Sequence, residues 1–178
     1  MRREDLLDLN DVLQHPGRKL AVDISTELTE DPDLELASPM LGFLEAVSTG
    51  NLLLITGQFD VRVVLDCARC GSPLTVDVHV DIDEQFPVEG IPSSYSSQDY
   101  ARVAPEEPFE LFDENNLMVE VLLRQALIVS SPMQPLCEFG WDGPCPIALS
   151  RGLKSTAPVT SPTMEKLTSL LDDEESEL

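Results

Sequence analysis

From residue 74 to residue 83 the chain alternates without a break. Leu74, Val76, Val78, Val80 and Ile82 fall on one side, and Thr75, Asp77, His79, Asp81 and Asp83 on the other. A period of two puts one set against a core and the other in water, as in an antiparallel sheet with one solvated face. Just upstream, "LGFLEAVSTGNLLLITGQFDVRVVLDC" holds two apolar runs split by "STGN" and leads directly into Cys67, which predicts a meander. "KLAVDISTEL" alternates more roughly and predicts a further strand, and the acidic "TEDPDLELASP" reads as a connector.

Helical spacing is confined to fewer places. Residues 1–13 read as a short helix with Leu6, Leu9 and Leu13 on one side, closed by "HPG", where Pro16 disfavours helical geometry at His15. Residues 1–18 are therefore expected to form an N-terminal arm. Residues 86–108 turn to Pro, Ser, Gly and acid and read as a mobile loop. Beyond it, Asp113 or Asn115 can cap a helix that begins near Asn116 and is limited by Pro132. Between Leu117 and Val129 only Glu120, Arg124 and Gln125 interrupt the apolar run, so this helix, at 116–130, is expected to be the most buried one. Glu120 and Arg124 lie one turn apart and can pair.

After Ile147, "ALSRGLKSTAPVTSP" reads as a linker, and "SPTMEKLTSLL" opens with Ser161 and Pro162 as a weak amphipathic helix. The closing "DDEESEL" reads as a disordered acidic tail. The resulting expectation is an α+β fold. It is an antiparallel β-meander with one buried helix and a cysteine clip, ending in a flexible acidic C-terminal tail. Its parts are the arm 1–18, a domain over 19–147, and a linker, weak helix and tail over 148–178.

Charge narrows the range of partners. The chain of 178 residues has 11 Lys and Arg against 33 Asp and Glu, a net charge of −22. Direct binding to a phosphate backbone needs a basic stripe, and the cations here are scattered. The acidity serves solubility or attracts a basic protein partner. No apolar run is long enough to span a membrane, and "MRREDLLDLNDVL" has the acids that a targeting segment avoids. A cytoplasmic location is expected, where thiols stay reduced and paired cysteines point to metal or redox chemistry.

The cysteines are the candidate chemistry. Cys67 and Cys70, followed by Gly71, form a Cys-x-x-Cys turn between two predicted strands. Such a turn supplies two zinc ligands from one loop, and a glycine after it admits a positive φ. "CEFGWDGPCP" places Cys137 and Cys145 farther apart than the usual ligand spacing, with Gly140, Gly143 and Pro144 able to fold the loop back. A thiol oxidoreductase using Cys67 and Cys70 is an alternative, although the motif leads into a strand rather than a helix. Unligated cysteines are a third reading. Trp141 is expected to pack over the clip, and His15 and His79 to be solvated. The chain has neither a glycine-rich phosphate loop nor a nucleophile elbow, so no catalytic constellation is expected.

The runs "ITGQFDVRVVLDCARCGSPLTVDVHVDIDEQF", "PFELFDENNLMVEVLLRQALIVSSPMQPLC" and "DGPCP" resemble the YceD-like family, named for its link to accumulation of large-subunit ribosomal RNA. The resemblance spans about residues 40–147. It implies a non-enzymatic accessory factor in ribosome large-subunit biogenesis. By position, Cys67 and Cys70 match the family's Cys-x-x-Cys, and Cys137 and Cys145 match its second, more variable motif. A family acting on RNA and a charge of −22 are reconciled if the partner is a basic protein of the large subunit or its assembly machinery. Asp77, Asp81 and Asp83 would then face that partner, with RNA affected indirectly. Arg69 is read as capping the turn rather than touching a partner. A structural zinc module of an unrelated complex is the remaining alternative.

Overall fold

A computed structural model describes residues 6–28, 34–93, 100–104 and 111–153. The fold divides into two compact units, Met1–Leu65 with Pro73–Met133, and Asp66–Ser72 with Gln134–Leu178.

The first unit is built on a sheet of strands β2 (Lys19–Thr26), β4 (Met40–Ser48), β5 (Leu52–Asp66), β6 (Pro73–Glu89) and β7 (Arg102–Val103), in that spatial order, with β3 (Glu35–Leu36) pairing β5 beyond the start of β4. β2 and β4 are antiparallel, as are β4 and β5, with Leu41 opposite Ser25 on one side and Asp60 on the other. The contacts Asp60–His79, Gln58–Asp81 and Arg62–Asp77 step in opposite directions along β5 and β6, as antiparallel neighbours must. The "STGN" break is the β4–β5 turn, closed by the Thr49 amide donating to the Leu52 carbonyl at 2.8 Å.

Alternation sets the burial. On β5 the odd-numbered residues from Leu53 to Val63 are buried, and on β6 so are Val78, Val80 and Ile82. Phe59 is the largest fully buried side chain, and it occupies space left by two glycines. A Cβ on Gly42 would meet the Gln58 carbonyl oxygen and the Phe59 ring, and one on Gly57 would lie 3.0 Å from that ring. The sheet therefore accepts no side chain at Gly42 or Gly57 without displacement.

A smaller sheet, β1 (Leu6–Asp8), β9 (Asn116–Met118) and β8 (Phe112–Asp113), belongs to the same unit. Residues 6–8, read from the sequence as helical, are thus a strand paired with β9. The helix α1 is confined to Asn10–Gln14, and Leu9, Val12 and Leu13 lie in the core cluster. The segment read as an arm supplies core side chains because β1 pairs with β9 and α1 packs on β4.

The helix α2 spans Val119–Ser130 rather than beginning at Asn116. Asp113 to Asn116 form the β8–β9 turn, with Glu114 at φ 56°. Asn115 does not cap the helix. Its amide, 3% exposed, donates to Asn10 Oδ1 at 2.9 Å and the Ala101 carbonyl at 3.1 Å, and accepts from the Val103 N–H at 3.3 Å. Satisfying these buried groups outweighs one exposed helix-end amide. α2 buries Val119, Leu122, Leu123 and Leu127, one face at helical spacing. Ile128 and Val129, at its far end, are exposed. Thr26 Oγ1 donates to Glu120 Oε1 at 3.1 Å.

β6 continues through residues 86–89, and β7 lies at 102–103, so both ends of the expected loop 86–108 contain strand. Residues 94–99 and 105–110 of that loop, and residues 154–178 with the rest of the expected linker, the weak helix and the acidic tail, lie outside the described residues. Among the described residues no helix is long and apolar enough to cross a membrane.

Candidate functional site

The second unit holds all four cysteines. Its first half, residues 67–72, joins β5 to β6. The Gly71 amide donates to the Cys67 carbonyl and the Cys67 amide to the Ser72 carbonyl, both at 2.8 Å. Gly71 adopts φ 65°, the conformation its place after the second cysteine predicts. The second half folds back through the Gly140 amide on the Cys137 carbonyl and the Gly143 amide on the Phe139 carbonyl, each at 2.9 Å. This is how a spacing wider than the usual two to four residues still returns the chain to its starting point. Cys145 precedes the short helix α3 (Pro146–Ser150), which carries proline in its first turn.

The two halves meet at sulfur. The Sγ atoms of Cys67, Cys70 and Cys137 all lie within 4.8 Å of one another. Cys145 lies outside that group of three but hydrogen-bonds Cys70 and Cys137 through its side chain. Cys67, Cys70 and Cys145 are buried, and Cys137 is half-buried. Two backbone amides donate across between the halves: Ala68 N–H to the Pro135 carbonyl at 2.8 Å and Cys137 N–H to Cys67 Sγ at 3.4 Å.

Backbone amides aimed at sulfur favour thiolate. The N–H of Cys70 lowers the Cys67 thiol most, and the amides of Cys137 and Arg69 add to it against burial, leaving a pKa of about 6. Cys145 is lowered by the amides of Ala148 and Ile147 in the first turn of α3, against burial. At Cys137 the Phe139 N–H pulls downward, but burial and the neighbouring Cys67 and Cys145 push the thiol up to about 11. Thiols crowded this way cannot all ionise alone. A cation among them would relieve the repulsion, which makes the cluster capable of holding a metal ion.

Two arginines brace the cluster. Arg69 Nη1 donates to the carbonyls of Gly140 at 2.9 Å and Gly143 at 2.8 Å, so it caps the opposite loop rather than its own turn. Arg151 Nη1 donates to the Cys70 carbonyl, and a Cβ on Gly71 would lie 2.8 Å from that nitrogen. Nothing in the sequence spacing marked Arg151. Trp141, expected to cover the clip, is 45% exposed.

In the first unit, Asp77, Asp81 and Asp83 all lie on the solvated face of β6. Asp77 pairs with Arg62 at 3.2 Å, and Asp81 accepts from Gln58 Nε2 at 3.2 Å and lies 3.4 Å from His79 Nε2. Asp83 takes no ion pair among the described residues. Two residues not singled out as site residues complete this face: Asp60, 2.8 Å from His79 Nδ1, and His79 itself, half exposed and hydrogen-bonded to Asp60. The hydrogen bond that the protonated ring donates to Asp60 raises the His79 pKa, and the charges of Asp81 and Asp60 add to it against desolvation.

An antiparallel sheet with a covering helix, a cysteine cluster and an acidic outer face define an α+β fold with a cysteine clip. The model of the family described as large ribosomal RNA subunit accumulation protein YceD matches residues 55–171, and the chain belongs to that family. Membership carries the role of a non-enzymatic accessory factor in large-subunit ribosomal RNA accumulation. No curated protein and no solved structure matches the chain.

Proposed function

We propose that the chain acts in large-subunit biogenesis by binding a basic protein of the large subunit or of its assembly machinery, with RNA affected indirectly. The observation that carries this reading is the outer face of β5 and β6, where Asp60, Asp77, Asp81 and Asp83 face water with Arg62 as the one arginine or lysine described on those strands. Such a field attracts a basic protein and repels a phosphate backbone. No membrane and no small-molecule substrate enters this reading, and the cytoplasm, where thiols stay reduced, is its setting.

Cys67, Cys70, Cys137 and Cys145 would hold one zinc ion. Three sulfurs within 4.8 Å of one another, a fourth on Cys145 hydrogen-bonded to Cys70 and Cys137, and amides directed at the sulfurs suit a closed tetrahedral site. The ion would supply a crosslink between the two loops, not chemistry on a substrate.

The test is affinity capture from cell extract with and without nuclease, read by mass spectrometry. Basic large-subunit proteins should be recovered after nuclease treatment. Loss of every partner on nuclease treatment would overturn the reading.

A further inference from the structure

β4 carries its side chains in an unusual order. In "MLGFLE" the residues between buried Met40 and buried Leu44 are Leu41, Gly42 and Phe43. Gly42 points inward against the Phe59 ring, while Leu41 and Phe43 point outward, 55% and 43% exposed. A half-buried strand ordinarily places its large apolar residues inside and its small or polar ones outside. Here the interior has no room for a side chain at Gly42, so core packing does not account for the two outward residues.

Their surroundings are charged. β4 lies between β2 and β5, so Leu41 and Phe43 stand in the middle of the sheet rather than at an edge. Across the ladder Phe43 is flanked by Asp23 and Gln58, and Leu41 by Ser25 and Asp60. One strand farther, His79 and Asp81 continue the same rows. The cations on this face are engaged locally, Lys19 with Glu45 at 2.6 Å, Arg62 with Asp77 at 3.2 Å and His79, when protonated, with Asp60 at 2.8 Å and Asp81 at 3.4 Å. Asp23 and Asp83 take no ion pair among the described residues.

We infer that Leu41 and Phe43 form the apolar centre of a docking surface whose rim is Asp23, Asp60, Asp81 and Asp83. Its occupant is a basic polypeptide segment that presents an aliphatic or aromatic side chain between lysines or arginines. An apolar anchor inside a charged rim is how interfaces divide labour, the centre holding the partner and the rim steering it. A nucleic acid would meet carboxylates where it needs cations. The inference rests on the basic-protein reading above and adds the place and the anchor chemistry of its partner.

The test uses the full chain, immobilised, with protein extracted from purified large ribosomal subunits as the probe, and protein-free large ribosomal RNA and a lysine homopolymer as separate arms. Leu41→Ser with Phe43→Ser is compared with Ile128→Ser with Val129→Ser, an exposed apolar pair on α2. Affinity for the retained basic protein should fall at least about tenfold in the first variant and stay unchanged in the second. The lysine homopolymer, which has no apolar side chain to seat, should bind both variants alike. If the first variant is misfolded by circular dichroism, the Leu41 methyl resonances of the unaltered chain provide the measurement, and they should shift on adding the retained protein. Unchanged affinity, or unshifted methyls, overturns the docking surface and leaves the basic-partner reading standing. If the unaltered chain retains no subunit protein, or only the bare RNA, the basic-partner reading itself fails.

Discussion

Cys137 donates its backbone N–H to the sulfur of Cys67 at 3.4 Å, across 70 positions of sequence. The bond joins two loops that have no strand pairing between them, and it is aimed at the atom that a metal would share. Amide-to-sulfur bonds of this kind orient a ligand and spread its charge. The relationship ties the fold of residues 134–145 to the state of the thiols at 67 and 70.

Metal removal should therefore loosen the second unit and leave the sheet intact. Structural zinc supplies binding free energy on the order of 10 kcal/mol in small domains. The purified chain is expected to hold one zinc per molecule by elemental analysis, and cobalt in its place should show thiolate-to-metal absorption. Cys67→Ser or Cys137→Ser should abolish stoichiometric uptake. Chelation should open residues 134–145 to protease while the strand signal in circular dichroism persists.

Arg69 holds the second loop from the first by two carbonyl bonds at 2.9 and 2.8 Å. Bonds from a charged donor contribute about 1.5–3 kcal/mol each at most, less where water competes. Arg69→Ala should lower metal affinity without removing a ligand, and speed amide exchange at residues 140–145. Unaltered exchange there would show that the guanidinium contributes nothing to loop order.

What the sequence disclosed, and what it withheld, follows from the range of the interactions involved. β6 was legible because Val78, Val80 and Ile82 alternate with Asp77, His79 and Asp81, and period two is a local property. The Cys-x-x-Cys turn was legible for the same reason, and Gly71 adopts the positive φ that its position suggested. The strand at Leu6–Asp8 was not, because three residues at leucine spacing fit a helix equally well until β9 is there to pair with them. Asn115 reads as a cap from its neighbours alone, yet its partners Asn10 and Ala101 lie elsewhere in the chain. Leu41 and Phe43 fell inside an apolar run, and only the register of β4 shows that they point outward. Arg151 carries no local signal for its contact with the Cys70 carbonyl.

Asn115 offers a stability test of the first unit. Its buried amide bonds to Asn10, Ala101 and Val103, so Asn115→Ala strands a buried carbonyl and a buried N–H. Each unsatisfied group costs about 1–3 kcal/mol. A loss of about 2–4 kcal/mol is expected in urea denaturation, with an unchanged slope. Asn115→Asp should be nearly as damaging, since a carboxylate cannot donate to Asn10 or Ala101.

Gly42→Ala should destabilise the same unit through overpacking. The new methyl would meet the Gln58 carbonyl oxygen and the Phe59 ring, and the backbone oxygen cannot rotate away. A cost of about 1–3 kcal/mol or more is expected, measured by thermal melting. Adding Phe59→Leu should recover part of it by relieving the ring contact, though not the contact with the Gln58 oxygen.

His79 predicts the direction of a pH effect. The hydrogen bond donated to Asp60 at 2.8 Å stabilises the imidazolium, and Asp81 at 3.4 Å adds to it, so the folded pKa lies above the ordinary value of 6.5. A group with a raised folded pKa stabilises the native state fully below its unfolded value. That contribution fades as pH rises past 6.5 and is lost once pH passes the raised folded value. The side chain is half exposed, so the effect is modest. Stability measured in urea should decline over that interval in the unaltered chain and decline less in His79→Gln. The ring protons should report the raised pKa directly by NMR, and Asp60→Asn should bring it down more than Asp81→Asn does. Equal effects of the two aspartates would mean that long-range charge, and not the Asp60 hydrogen bond, sets the imidazolium.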